Sequence, residues 1–242
     1  MRALISLYLF VIVYSTFAQT FVGGIGVTNT TINPREIIRD QGNITSFLAK
    51  TLQADAEVEG DPYLYDDWKA ADIMLKSEQL LEGFKVKIDL IKNELDIETS
   101  LGVRALPSAK IIFFKLQLDD NQVTFVNASS YKLDSSPLSG FLQVLQGGRL
   151  AILVKIDVSI LPPDYNVQMN VGNKNARIVK SERYFIVAEG SDEIKIIKSI
   201  KDILSFVEEG NRMIAENFVK QRKLKFKSKS DLATLIAFIN TL

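Results

Sequence analysis

The sequence contains no cysteine and no histidine, and each absence excludes a class of chemistry. Without cysteine the chain has no disulfide, no thiolate zinc site, no cysteine nucleophile and no lipid-modified cysteine. Histidine is the usual general base near neutral pH and the commonest metal ligand. Ser-His-Asp triads, histidine-rich zinc or copper sites and histidine-ligated haem are therefore excluded. Carboxylate-pair, Ser-Lys and oxygen-only metal chemistry remain.

A net charge is also lacking. The 242 residues include 29 Lys plus Arg and 29 Asp plus Glu, so the whole chain has no electrostatic attraction to nucleic acid or anionic lipid. We expect no nucleic-acid partner. The hydrophobic fraction of 47% is typical of a folded globular protein. The length suits one large domain, or a β body with a small appendage.

Residues 1–18 have the pattern of a signal peptide. Arg2 supplies the positive start, residues 3–13 are nearly all apolar, and Thr16 and Ala18 are the small residues expected before a cut at Gln19. The apolar run is shorter than the roughly 18 to 20 residues that a membrane span requires. We therefore expect cleavage, no transmembrane span afterwards, and export to the periplasm or cell surface. An exported chain without cysteine is more typical of bacteria.

The mature chain divides into three regions by its patterns. Residues 19–60 form an N-terminal segment that we expect to be partly helical or flexible, with a helix over residues 34–52 because Pro34 suits a first helical position. Residues 61–197 form a β body. Residues 198–242 form a C-terminal helical segment.

Alternation of apolar and polar residues predicts the strands of the β body. Phe84, Val86 and Ile88, for example, alternate with Lys85 and Lys87, as in a strand with one face buried. The predicted strands cover residues 84–90, 95–97, 111–118, 123–126, 141–145, 150–160, 184–188 and 194–197. Short turns join them and no long helical pattern intervenes. This favours an α+β protein that is mainly antiparallel β, either a sandwich or an open barrel.

The period changes again near the end of the chain. Leu232, Leu235, Ile236 and Ile239 have the spacing of one helical face. Residues 200–207 and 213–218 show shorter helical patterns, and Ser228 with Asp231 resembles a capping box before the last helix. The sequence therefore predicts two or three short C-terminal helices.

One aromatic and acidic segment, residues 60–68, is the candidate binding site. It contains the only tryptophan of the chain. Aromatic faces stack on sugars and carboxylates accept hydroxyl protons, so a site for a sugar or a peptide is one interpretation. A turn with core-anchoring aromatics is the other. The acids match no calcium-loop spacing, so we predict no metal and no cofactor. The candidate ligand-binding residues are Tyr63, Tyr65, Asp66, Asp67 and Trp68.

Catalysis would have to rely on carboxylates. Glycoside hydrolysis needs only two acids, and Asp66 or Asp67 with Asp89, Glu94 or Glu98 are candidates. Such acids occur by chance in any chain of this composition, and no serine-nucleophile motif is present in a suitable context. We therefore predict that the protein is not an enzyme and assign no catalytic residue.

A basic run occupies residues 220–229, with Leu224 and Phe226 between the cations. One interpretation is a solvated linker between two helices. The other is docking to an anionic envelope surface.

Short segments spread through the mature chain form a further pattern. They are Phe17-Ala18-Gln19, Gly60-Asp61-Pro62-Tyr63-Leu64 with Trp68, Val86-Lys87-Ile88-Asp89-Leu90, Glu94-Leu95-Asp96-Ile97, Phe141-Leu142-Gln143-Val144-Leu145 before Gly147-Gly148, Arg183-Tyr184-Phe185, and the basic helical ending with Asp231-Leu232 and Asn240-Thr241-Leu242. In these segments the chain resembles a family of uncharacterised exported proteins that is common in Bacteroidota and has no assigned activity. Ile88-Asp89 and Phe238-Ile239 stand where that family tends to have Tyr-Asn and a tyrosine pair. The resemblance implies export and a β-rich body, and it transfers no catalytic residue.

The leading expectation is an exported, non-catalytic interaction protein whose sheet binds an envelope protein or a glycan. The alternative is a periplasmic carrier that holds a sugar, peptide or lipid near Tyr63, Tyr65 and Trp68. A carboxylate-based hydrolase is the second alternative.

Overall fold

The computed structural model describes residues 58–119, 121–166 and 168–242. The predicted signal peptide and the predicted helix over residues 34–52 lie outside these described residues. The described residues form a large, mostly antiparallel sheet followed by three helices, which confirms the predicted α+β fold class.

The elements follow one another in a simple order. The strands are β1 (Val58–Glu59), β2 (Lys69–Leu75), β3 (Leu80–Asp89), β4 (Glu94–Thr99), β5 (Gly102–Pro107), β6 (Ile111–Leu118), β7 (Asn121–Asn127), β8 (Lys132–Leu133), β9 (Ser136–Pro137), β10 (Phe141–Gln146), β11 (Leu150–Leu161), β12 (Ala176–Ala188) and β13 (Lys195–Ile197). The helices are α1 (Ile200–Leu204), α2 (Glu209–Arg222) and α3 (Lys229–Ile239), and short 3-10 helices occupy Ser108–Lys110 and Ala128–Ser130.

Eleven of the described strands belong to one sheet. Its order is β1-β12-β11-β10-β7-β6-β2-β3-β4-β5, and β13 also pairs with β12. Among the described strand pairs of this sheet, all are antiparallel except β1 with β12, so the sheet is mixed. The small hairpin of β8 and β9 stands apart.

The predicted hairpins form where alternation is clearest. The predicted strand over residues 111–118 coincides with β6, which pairs with β7 as expected. The pairs β3–β4 and β12–β13 are likewise the predicted hairpin partners. In β3 the side chains of Val86 and Ile88 are buried, whereas Lys85 is exposed. One apolar face per strand is therefore the signal that located these elements.

A short segment at the start of the described chain requires the sheet to curl. Residues 58–66, which we call the strap, pair with β12 at Glu59 (partner Arg177) and with the end of β3 at Tyr63 (partner Asp89). Four residues span at most about 14 Å. The six strand spacings from β12 to β3 would measure about 29 Å in a flat sheet. The sheet therefore curves until β12 and β3 lie near the strap. This single curled sheet corresponds to the open barrel of the two predicted arrangements.

The buried side chains of the described residues form three clusters. The first lies between the helices and the β11–β13 end of the sheet and includes Ile152, Ile186, Leu235 and Ile239. The second fills the curl of β2, β3, β4, β6 and β7 and includes Ile73, Val86, Leu95, Phe114 and Phe125. The third lies on the other face of β11 and β12 and includes Leu142, Leu153 and Phe185. Because β11 is covered on both faces near its start, its sequence there is continuously apolar.

Side-chain hydrogen bonds cap two of the helices. Ser199 and Asp202 form a complete capping box at α1. At the start of α3 the predicted box is half formed, since the Ser228 side chain accepts a bond from the Asp231 N–H while Asp231 accepts one from the Lys225 N–H. Among the described residues, no helix combines the length and the hydrophobicity needed to cross a bilayer.

Candidate functional site

The strap carries three of the five predicted ligand-binding residues to two different sides of the sheet. Its backbone runs beside the end of β3, where the Leu64 N–H donates to the Ile88 carbonyl at 2.9 Å and the Leu90 N–H donates to the Pro62 carbonyl at 3.0 Å. Bridged residues project to the same face of a sheet. Tyr63 therefore shares the outer face of the curl with its partner Asp89.

Tyr63 and Trp68 lie together on this outer face, with Lys87 of β3 between them. The Lys87 ammonium lies 5.0 Å from the Tyr63 ring centroid and 5.7 Å from that of Trp68, within the range of cation–π attraction. The Tyr63 hydroxyl donates to Asp96 Oδ2 at 2.6 Å. This bond to Asp96 and burial together raise the pKa of Tyr63 well above its usual value. We call Tyr63, Trp68 and Lys87 the aromatic patch, and both of its rings are partly exposed.

The other three predicted residues do not join this patch. Tyr65 packs against the apolar cluster inside the curl, and burial, followed by the charge of Glu182, raises its pKa. Asp66 and Asp67 are exposed, and the nearest oxygen of Asp67 lies 4.0 Å from Lys69 Nζ. The structure therefore brings together two of the five predicted residues.

Two carboxylates near the patch, Asp89 and Glu94, stabilise the β3–β4 turn. Asp89 is buried, and its Oδ1 accepts the N–H groups of Ile91 and Lys92, each at 2.9 Å. Lys92 Nζ lies 3.6 Å from Asp89 Oδ2 and 3.5 Å from Glu94 Oε1. Burial raises the pKa of Glu94, against the opposing charge of Lys92. These acids thus have structural partners, and no group of acids in the described residues is placed to hold a metal ion.

A second site, not anticipated from the sequence, is an open cleft beside β13. Its volume is about 710 Å³, within the range of small-molecule sites. We call it the Tyr184 cleft. Its apolar and aromatic lining residues are Tyr184, Ile196, Ile197 and Phe226, and we call Tyr184, Ile197 and Phe226 the floor. Its charged lining residues are Glu182, Arg183, Lys198 and Lys227, which we call the rim. Phe226 and Lys227 belong to the basic run of residues 220–229. The aromatic residue between the cations was the feature of the sequence that could have indicated this cleft.

Hydrogen bonds hold the acidic side of this cleft. Tyr184 donates to Glu182 Oε2 at 2.6 Å, and Lys229 Nζ lies 2.5 Å from Glu182 Oε1. Burial and the bond to Glu182 raise the pKa of Tyr184. Burial also opposes ionisation of Glu182, but the bonds from Lys229 and Tyr184 outweigh it and lower the pKa of that carboxyl. The ring of Phe226 meets the Tyr184 ring edge-on at 5.3 Å.

A third feature is the far half of the β11–β12 hairpin, residues 157–181, which we call the arm. The neighbouring strand β10 pairs with β11 only from Ile152 to Val154, whereas β12 pairs with β11 up to Leu161. Within the described residues the outer edge of β11 therefore has no strand partner over residues 157–161. Among its described residues the arm also exposes four large apolar side chains, namely Leu161, Met169, Val171 and Val179.

Comparison with protein-family models, with curated proteins and with solved structures finds no match for this chain. The resemblance to the exported family therefore stays a prediction. Function has to be argued from the aromatic patch, the cleft and the arm.

Proposed function

We propose that this chain is an exported, non-catalytic protein that binds a partner protein of the cell envelope, in the periplasm or at the cell surface. The signal-peptide pattern of residues 1–18 supports export. The observation that carries the binding proposal is the arm, because it combines a strand edge without a neighbour and exposed apolar side chains in the described part of the chain.

An open strand edge is a ready template for a strand from another protein. Such pairing gives affinity through main-chain hydrogen bonds and specificity through the side chains on either face. In the arm, Val179 and Leu161 occupy diagonal positions on one face, since Val179 pairs with Ser159 and Leu161 pairs with Arg177. Side chains on that face can therefore contact a partner that adds a strand to β11.

The base of the arm is stiffened by charge pairing. Asp157 accepts bonds from Lys155 at 2.8 Å and from Arg183 Nη2 at 2.9 Å, and Arg183 Nε also donates to Asp157 Oδ2. The pKa of Asp157 is lowered because these bonds outweigh the effect of burial. Because these three charged side chains already hold one another in place, the arm loses less conformational entropy when it binds a partner.

The arm proposal predicts that the double substitution Leu161→Asp with Val179→Asp weakens partner capture. We expect at least ~tenfold less partner from the envelope fraction, because two apolar contacts become charged ones. The measurement is quantitative mass spectrometry of proteins retained by the tagged chain. A photo-crosslinking residue at the exposed Ser159 should trap the same partner.

The matched control is Met213→Asp with Ile214→Asp, which places the same charges on exposed apolar residues of α2. It should retain the partner. Equal loss in both double variants, or trapping of the partner only from α2, would assign binding to another surface.

The aromatic patch favours a second candidate, contact with a glycan. Partly exposed Tyr63 and Trp68 rings present faces on which a sugar can stack. The predicted carrier site at Tyr63, Tyr65 and Trp68 stays a prediction; Tyr65 packs inside the curl, whereas Tyr63 and Trp68 lie on its outer face.

The glycan candidate predicts that Trp68→Ala weakens binding to fractionated envelope glycans by about tenfold, the loss of one stacking face. Tyr65→Ala is the control, because its ring faces the interior cluster. Glycan-array binding of the tagged protein measures both. Unchanged binding in Trp68→Ala rejects this candidate and leaves the arm proposal intact.

A further inference from the structure

We infer that the Tyr184 cleft binds a single-chain anionic amphiphile, such as a long-chain carboxylate. The chain would lie on the apolar floor, and the anionic head would meet Lys198 and Lys227 at the rim. Arg183 lines this cleft and also pairs with Asp157 at the base of the arm, but the inference does not depend on the proposed function.

The floor suits an alkyl chain because it is apolar and formed by several elements. Ile197 is buried and pairs with Tyr184 across β12 and β13, and Phe226 packs edge-on against the Tyr184 ring. Ile196 also lines the cleft, but it pairs with Phe185, so its side chain lies on the opposite face of β13 from Ile197. A volume of about 710 Å³ with mainly apolar walls and a few polar groups is the usual form of a small-ligand site.

The rim suits an anionic head because its unpaired charges are positive. Glu182 is neutralised by Lys229 at 2.5 Å, and Arg183 is bound to Asp157. Lys198 and Lys227 form no ion pair within the described residues.

The surroundings of the rim keep this positive sign. Asp202 lies close to Lys198, and its Oδ2 accepts the N–H groups of Lys198 at 2.7 Å and Ser199 at 3.0 Å. These bonds and the charge of Lys198 lower the pKa of Asp202. Residues 220–229, which include Lys227, contain six cations and no acid. A carboxylate at the rim would therefore meet cations without displacing an existing ion pair.

The basic run alone would also attract an anionic bilayer, but a bilayer surface would not fill the floor. An amphiphile in the cleft and a bilayer on the surface predict different dependences of binding on chain length, charge and salt. An amphiphile in the cleft requires both chain length and negative charge, whereas surface attraction requires only charge and falls steeply with salt.

Calorimetric titration of the full mature protein with dodecanoate, below its micelle concentration, tests the inference. We expect saturable binding that is at least ~tenfold tighter than for butanoate, which lacks the chain, or for dodecyltrimethylammonium, which reverses the charge. Equal affinity for all three, or no binding of dodecanoate, would overturn it. Binding to phosphatidylglycerol vesicles that dodecanoate does not compete away would overturn it in favour of surface attraction.

Variants separate the cleft from the rest of the surface. Lys198→Glu with Lys227→Glu should weaken dodecanoate binding by at least ~tenfold. Both lysines are exposed, so the substitutions should leave folding little affected. Lys201→Glu with Lys220→Glu makes the same charge change outside the cleft and should bind as the parent does. If the two lysine pairs weaken binding equally, the cleft is not the site.

Discussion

Replacement of Phe114 by alanine is expected to lower the free energy of unfolding by about 3 to 5 kcal/mol, the usual cost of deleting a fully buried phenylalanine. Phe114 has 0% exposure. Its ring stacks on Phe125 with centroids 5.0 Å apart and meets Phe141 edge-on at 5.0 Å. The substitution would leave a cavity inside the curl and remove two aromatic contacts, each worth about 0.5 to 1.5 kcal/mol beyond burial.

Urea denaturation followed by far-ultraviolet circular dichroism measures this loss. Domains of ordinary stability have about 5 to 15 kcal/mol in total, so the midpoint should fall strongly. Ile112→Ala is the matched control, because Ile112 lies on the same strand, β6, and is 42% exposed. It should cost less than about 1 kcal/mol. Similar losses of unfolding free energy in both variants would show that the main hydrophobic core does not lie inside the curl.

The strands that the sequence revealed are those with one buried face. Apolar and polar residues alternate from Phe114 to Leu118 in β6 and from Phe84 to Ile88 in β3, because the interior of the curl covers one side of each strand there. Two other strands escaped notice for physical reasons. In β2 the alternate residues Ala71, Ile73 and Leu75 pack into the core of the curl, but Ala70 and Met74 on the other face are also apolar, so no alternation of apolar and polar residues marks this strand. β5 is mostly exposed, so no apolar face marks it.

The far half of β12 was missed for a different reason. Residues 177–183 are mostly polar and lie at or beside the arm, where β11 is the long-range partner that makes them a strand. The local sequence of these residues does not predict that pairing. The curl itself is equally nonlocal, since it depends on the strap reaching from β12 to β3.

The candidate sites, like the strands, could be predicted only where their residues are close in sequence. Tyr63 and Trp68 could be named because they are conspicuous residues close in sequence, but the irregular turn between them decides which side chains face outward. Tyr65 therefore packs inward, although it lies between them. The Tyr184 cleft combines β12, β13 and the link between α2 and α3. A site made of elements more than forty residues apart leaves only a faint sequence signal, here Phe226 within a basic run.

The buried polar side chain of Asn127 stabilises the β6–β7 end of the sheet. It is 1% exposed. Its Nδ2 donates to the carbonyls of Ser108 at 2.7 Å and Ile111 at 2.8 Å, and its Oδ1 accepts the Ser129 N–H at 2.9 Å. The amide thus joins two turns to the end of β7, and each of its three bonds satisfies a main-chain group.

Asn127→Asp is expected to lower the free energy of unfolding by about 3 kcal/mol or more at pH 8, because an oxygen replaces the nitrogen that faces two carbonyl oxygens. Burial and these carbonyls should raise the pKa of the introduced carboxyl in the folded state above its unfolded value of about 3.9. A folded state with the higher pKa binds more protons, so stability falls as pH rises through that pKa. The protonated acid can again donate to one carbonyl.

Urea denaturation at pH 5 and pH 8 measures this effect as a difference from the parent protein. The deficit of Asn127→Asp should shrink at pH 5, since the buried carboxyl is then more fully protonated. Asn127→Ala is the control. It leaves the same main-chain groups without partners, at about 1 to 3 kcal/mol, but adds no titratable group, so its deficit should be equal at both pH values. A deficit of Asn127→Asp that does not change with pH would mean that water reaches the introduced carboxyl, and that the amide site opens in the folded protein.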